Sequence, residues 1–134
     1  MTRILVIIIL SMLFSSIANA KIIILSKCFY TAGENSFNSE VYKKNYYKVD
    51  TNQKTVAHIE ISSDEYAKKN PSRPKVLIQT YDLDYYDNDF VVAYEKKGIN
   101  KFKYTLDLKK KIIEVYIVEK RKVLTYHKCL SNRL

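Results

Sequence analysis

Tyr104 to Ile113 reads YTLDLKKKII, and the run leading into it, Phe102-Lys103-Tyr104-Thr105-Leu106-Asp107-Leu108, alternates apolar and polar residues without a break. Successive side chains of a β-strand point to opposite faces, so Phe102, Tyr104, Leu106 and Leu108 are expected to face a core and the residues between them water. Earlier in the chain, Tyr47 to Val56 reads YKVDTNQKTV, with Tyr, Asp and Lys at the same three of ten positions. In both stretches Asp ends one strand, Lys opens the next, and three mostly polar residues lie between, which is the composition of a hairpin turn. Because the likeness fades outside these residues, it reads as recurrent turn chemistry rather than as a duplicated four-stranded unit.

Working outward from this hairpin, Tyr, Val, Ile and Thr are concentrated in eight segments: 24–31, 42–50, 54–62, 75–83, 88–97, 100–108, 111–119 and 122–130. The connections between the later segments are too short for parallel crossovers, so neighbours are antiparallel. Gly98 is placed to supply the positive φ of a three-residue loop with a bulge. Ser62 to Asn70, with capping residues and acids first, lysines last and Pro71 behind, reads as a short helix. The fold predicted is all-β: a single antiparallel up-and-down meander of about eight strands, barrel-like, with one short helix. The alternative is a curved open sheet with the helix packed on one face. Barrel closure removes both sticky sheet edges, which favours the first form.

Met1 to Ala20 has the make-up of a secretory signal peptide: Arg3, an apolar run from Ile4 to Phe14, and Ala18-Asn19-Ala20 as a cleavage site. Cleavage after Ala20 would leave one domain, 21–134. An uncleaved N-terminal membrane anchor and a lipid attachment at Cys28 are the alternatives. The two cysteines, Cys28 and Cys129, both fall in the exported part, where an even pair forms a disulfide. That bond would tie the first strand to the last. Antiparallel pairing then requires Cys28 to lie near the start of that pairing, with Lys21 to Leu25 as an overhang or an extra edge.

Charge is unevenly spread. Gln79 to Glu95 holds five acids and no Lys or Arg, whereas Lys96 to Leu134 holds twelve bases against three acids. Lys109, Lys110 and Lys111 fall in one expected turn and Lys120, Arg121 and Lys122 in another; a basic surface of this kind suits anionic lipid or other anionic envelope components. In a meander the two turns lie at opposite ends, which works against a single patch. Export argues against a nucleic-acid partner. Asp82, Asp84, Asp87 and Asp89 are spaced closely enough to suggest a weak Ca²⁺ site, but they lack the glycine and terminal acid of an EF-hand and equally suit a hairpin turn.

No GxSxG, HExxH, P-loop or CxxC motif occurs, and neither His58 nor His127 has an acid or cysteine at ligand or triad spacing. No cofactor and no catalytic residue is therefore assigned. The chain has 12 tyrosines and no tryptophan; Tyr46, Tyr47, Tyr104 and Tyr116 are the candidates to line a barrel lumen. The architecture resembles that of lipocalins and of periplasmic lysozyme inhibitors, but the Gly-x-Trp signature of the former and the Ser-Gly signature of the latter are missing, and no family is assigned. The function expected is that of a non-enzymatic envelope, periplasmic or secreted binding module, taking a small apolar or aromatic ligand or a protein segment. The alternative is a structural protein that adheres to anionic envelope components through its basic surface.

Overall fold

The computed structural model describes residues 21–134. The expected signal peptide, 1–20, lies outside the described residues. Eight antiparallel strands follow in chain order: β1 Ile22–Tyr30, β2 Tyr42–Asp50, β3 Thr55–Ser62, β4 Val76–Tyr86, β5 Phe90–Lys97, β6 Asn100–Asp107, β7 Ile112–Ile117 and β8 Lys122–Ser131. Each pairs with its neighbours, and β1 pairs with β8, so the meander closes into a barrel rather than an open sheet. The short helix, α1 Asp64–Lys69, is capped by the Ser63 hydroxyl, which accepts from the Tyr66 amide. It buries none of its residues and so lies at the rim instead of packing across a sheet face.

The two echoing stretches are hairpin turns, and their chemistry is the same. Asp50 Oδ1 accepts from the amides of Asn52 and Gln53 at 3.1 and 3.0 Å, and Asp107 Oδ1 from those of Lys109 and Lys110 at 3.2 and 3.0 Å. The lysines that end these turns, Lys54 and Lys111, each have φ 56°, a left-handed conformation that favours glycine. The glycine turn differs from expectation. Lys97 pairs directly with Asn100, leaving a two-residue loop in which Gly98 has φ 59°; positive φ at the first central position suits a type II′ turn, so no third loop residue is needed. Strand β4 runs three residues beyond its expected end, because a bulge between Leu83 and Tyr85 lets pairing with β5 resume.

The interior is filled by side chains selected by the period-two alternation. Leu25, Val49, Val56, Val91, Leu106 and Ile113 are at most 2% exposed. The outer face carries Lys44, Lys48, Lys103, Glu114 and Lys128 among its apolar residues, a distribution unlike the continuous apolar band of a membrane-spanning barrel. The Cys28–Cys129 disulfide joins directly opposed residues of β1 and β8 inside this core.

Strand β1 changes partner part-way. Ile22 to Ser26 pair with β2, and Ser26 to Tyr30 with β8. The change falls at Lys27, whose φ of 53° turns the strand and breaks the in-out alternation, leaving Leu25 and Ser26 both buried. Cys28 thus stands near the start of pairing with β8, as closure requires. The segment before it is no free overhang, since it extends the β2 ladder.

Candidate functional site

The period-two rule also decides which tyrosines face inward. Tyr47 is 1% and Tyr104 7% exposed, and both lie in the core, whereas Tyr46 and Tyr116 do not. The lumen assignment of Tyr46 and Tyr116 is corrected: Tyr46 is sequence-adjacent to inward Tyr47, and Tyr116 is adjacent to Val115, which pairs with Tyr104 on the inner face.

Tyr47 belongs to a polar cluster built by β1, β2, β3 and β8 that single-strand reading of the histidines does not reveal. Its ring stacks on His58 with centroids 4.3 Å apart and planes 4° from parallel, and its hydroxyl meets His127 Nδ1. His58 Nε2 donates to Asn45 Oδ1 at 2.7 Å. The two imidazole centroids are 5.5 Å apart, and Tyr30 packs edge-on to His127 at 4.0 Å. Among the described residues, His127 Nε2 is buried with no hydrogen-bond partner. Burial, with a smaller contribution from His127, lowers His58 to a pKa of about 3; burial alone lowers His127 to about 4. Glu60 Oε1 lies 3.7 Å from His58 Nε2, but desolvation dominates and raises the Glu60 carboxyl, so the contact does not hold an imidazolium in place at neutral pH. Neutral imidazoles titrating this far below pH 7 serve packing and hydrogen bonding better than proton transfer.

Across the barrel, Tyr81 and Tyr104 stack at 3.8 Å, and the Tyr104 hydroxyl donates to Glu95 Oε2 at 2.8 Å. Glu95 is thus engaged with this tyrosine pair. The space bounded by Tyr30, His58, Glu60, Leu77 and Gln79 measures about 100 Å³, room for a few waters and too small for a drug-sized ligand.

The partner change of β1 opens a more promising feature. Beyond the Ser26–Tyr46 pair, β1 continues on β8 alone, while Tyr42 to Asn45 of β2 continue on β3 alone. Two strand edges therefore diverge at a seam. A groove of about 140 Å³ lies there, lined by Ser26, Lys27, Phe37, Lys43, Lys44, Asn45, Tyr46 and Leu134. The Ser26 hydroxyl donates to the Arg133 carbonyl, so residues after β8 cross β1 at this point. Tyr46 carries the groove onto an outer apolar strip, where it pairs with Ile59 and Ile59 with Ile78; beside them Ile61 pairs with Val76. Ile78 is 63% and Val76 48% exposed.

The remaining candidates are dispersed. Asp87 Oδ1 accepts from the amides of Asp89 and Phe90, Tyr85 donates to Asp87 Oδ2 at 2.7 Å, and Asp89 pairs with Lys109 at 3.1 Å. The bond from the Tyr85 hydroxyl, followed by those from the Phe90 and Asp89 amides, holds the Asp87 carboxyl below its ordinary range. Asp82 and Asp84 are exposed on β4 and do not join them; among the described residues no three His, Cys, Asp or Glu side chains gather to hold a metal ion. Lys109, Lys110 and Lys111 lie at the β6–β7 turn and Lys120, Arg121 and Lys122 at or beside the β7–β8 turn, at opposite ends of the barrel.

The fold and site define a small up-and-down β-barrel, closed by a disulfide and interrupted by one seam. No family model matches the chain, and searches of curated proteins and of solved structures find no significant match either.

Proposed function

We propose that the protein is an exported, non-enzymatic binding module that captures an extended protein segment at the seam between β1 and β2. The observation that carries this reading is the break in the ladder after Ser26 and Tyr46, which, among the described residues, leaves strand edges without a ladder partner beside an apolar groove. An extended chain can add to such an edge through its backbone, with side-chain pockets supplying specificity. Lys27, Lys43 and Lys44 around apolar walls select a segment that mixes acidic and apolar residues. The strip of half-buried Ile59 and exposed Ile78 continues the surface, and contiguous apolar patches of this kind mark protein contacts. The signal-like Met1 to Ala20 and the cysteine pair support export.

Selection from a random peptide library on the purified protein tests this. Enriched peptides should carry acidic and apolar residues, slow amide exchange at Lys43 to Asn45, and lose about tenfold or more in affinity on combined Lys43→Glu and Lys44→Glu substitution. Enrichment of peptides that protect another surface, or of none, overturns the reading.

A further inference from the structure

On the other side of the barrel, the outer faces of β5 to β8 form a second groove of about 240 Å³, lined by Phe90, Thr105, Asp107, Lys110, Ile112, Glu114 and Tyr126. Its construction follows from register. Phe90 pairs with Asp107 and Asp107 with Ile112; one row along, Thr105 pairs with Glu114 and Glu114 with Tyr126. Two aromatic rings, each 43% exposed, therefore stand at diagonal corners of a polar floor with Ile112 at its base. Asp107 uses Oδ1 to cap its turn. Among the described residues, no hydrogen bond or ion pair within the protein engages the side chains of Thr105 or Glu114.

We propose that this groove is a carbohydrate site that takes one neutral pyranose ring. A pyranose joins two chemistries: an apolar face of C–H groups, and a rim of hydroxyls that each donate and accept. An exposed aromatic ring offers a flat surface to the first. Carboxylates and a hydroxyl with free capacity, here Glu114, the second oxygen of Asp107 and Thr105, satisfy the second. The volume suits a one-ring ligand, lying below the roughly 300–1,000 Å³ of drug-sized pockets. Two carboxylates in the floor disfavour an anion, and Lys110 in the lining disfavours the cation that aromatic rings and acids would otherwise attract. The site shares no residue with the β1–β2 seam and stands independently of it.

Amide and methyl NMR titrations with methyl glucoside, methyl galactoside and N-acetylglucosamine at millimolar concentrations, with choline as the competing cation, test the proposal. The expected result is a saturable perturbation by at least one sugar, confined to Phe90, Thr105, Glu114, Tyr126 and their neighbours. Tyr126→Ala and Glu114→Gln should each weaken it about tenfold, while an unchanged melting temperature shows that the surface substitutions leave the barrel intact. No saturable response to any sugar, a response unchanged in both variants, or saturation by choline instead overturns it.

Discussion

The Tyr47 hydroxyl and His127 Nδ1 meet inside the barrel although 80 residues separate them in the chain. Their bond joins β2 to β8 across β1, and His58 lies stacked beneath the same tyrosine. Burial therefore keeps two imidazoles uncharged in the folded state, whereas in the unfolded chain both titrate near 6.5.

Stability should accordingly fall as the medium is acidified. Between the unfolded value near 6.5 and the folded values of about 3 and about 4, the unfolded chain binds more protons, so folding is progressively disfavoured as pH drops through that window. The two histidines together should remove on the order of 3–4 kcal/mol between pH 7 and pH 5. Glu60, whose carboxyl is raised by burial, acts in the opposite sense and offsets part of this. Urea unfolding midpoints at the two pH values measure the change. An unaltered midpoint would show that the imidazoles are not held neutral.

The Tyr47–His127 pair offers a second test through non-additivity. Tyr47→Phe alone leaves His127 with neither nitrogen bonded and should cost about 1–3 kcal/mol. Combining it with His127→Leu removes both polar partners and the orphaned Nε2 at once, so the double variant should be less destabilised than the two single costs added together. A double-mutant cycle by chemical denaturation reads the coupling, and strict additivity would argue against the bond.

The recurrent turn can be tested at its two chemical positions. Asp50→Ala and Asp107→Ala should each cost about 1 kcal/mol, because each removes two bonds from a carboxylate to turn amides. Lys54→Gly and Lys111→Gly should be neutral to stabilising by about 1 kcal/mol, since glycine tolerates positive φ but loses more backbone freedom on folding. Thermal melts of the four variants decide. Marked destabilisation by glycine would mean that the lysine side chains matter more than the backbone they distort.

Reduction of the Cys28–Cys129 bond should cost on the order of 4–5 kcal/mol, because its sequence separation of 101 residues closes a long loop in the unfolded ensemble. Both cysteines are at most 2% exposed, so reductant should act slowly on the native protein and readily after denaturation. Thiol labelling with and without denaturant checks both statements. Rapid labelling of the reduced native protein would show that the β1–β8 junction opens locally.

Strand number, the antiparallel order and the helix were legible because alternation, turn composition and capping are local signals. The Asp50 and Asp107 turns share their composition for the same reason. What escaped depends on pairing between strands, apart from one local matter on β2. Alternation on β2 admits only one of Tyr46 and Tyr47 to the lumen, and register on β6 and β7 excludes Tyr116 when Tyr104 is inside. His58 and His127 look isolated along the chain and become neighbours only when β1 joins β8. The seam was invisible for a further reason: it is set by a left-handed lysine, and Lys27 carries no sequence mark that distinguishes it from other strand lysines.

The junction of β1 with β8 also bears on the order in which the barrel can assemble. Every other ladder joins strands adjacent in the chain and can form as a local hairpin. This one joins residues about a hundred positions apart, and it must wait until the last strand is available. Seven strands can therefore zip together into a sheet with two open margins before closure is possible. Over that interval the free side of β1 is a template for any extended chain nearby, including an identical one. Whatever shortens the wait, whether a chaperone that shields β1 or an oxidant that captures Cys129 on its first approach to Cys28, should raise the yield of folded protein more than it raises the stability of the finished barrel.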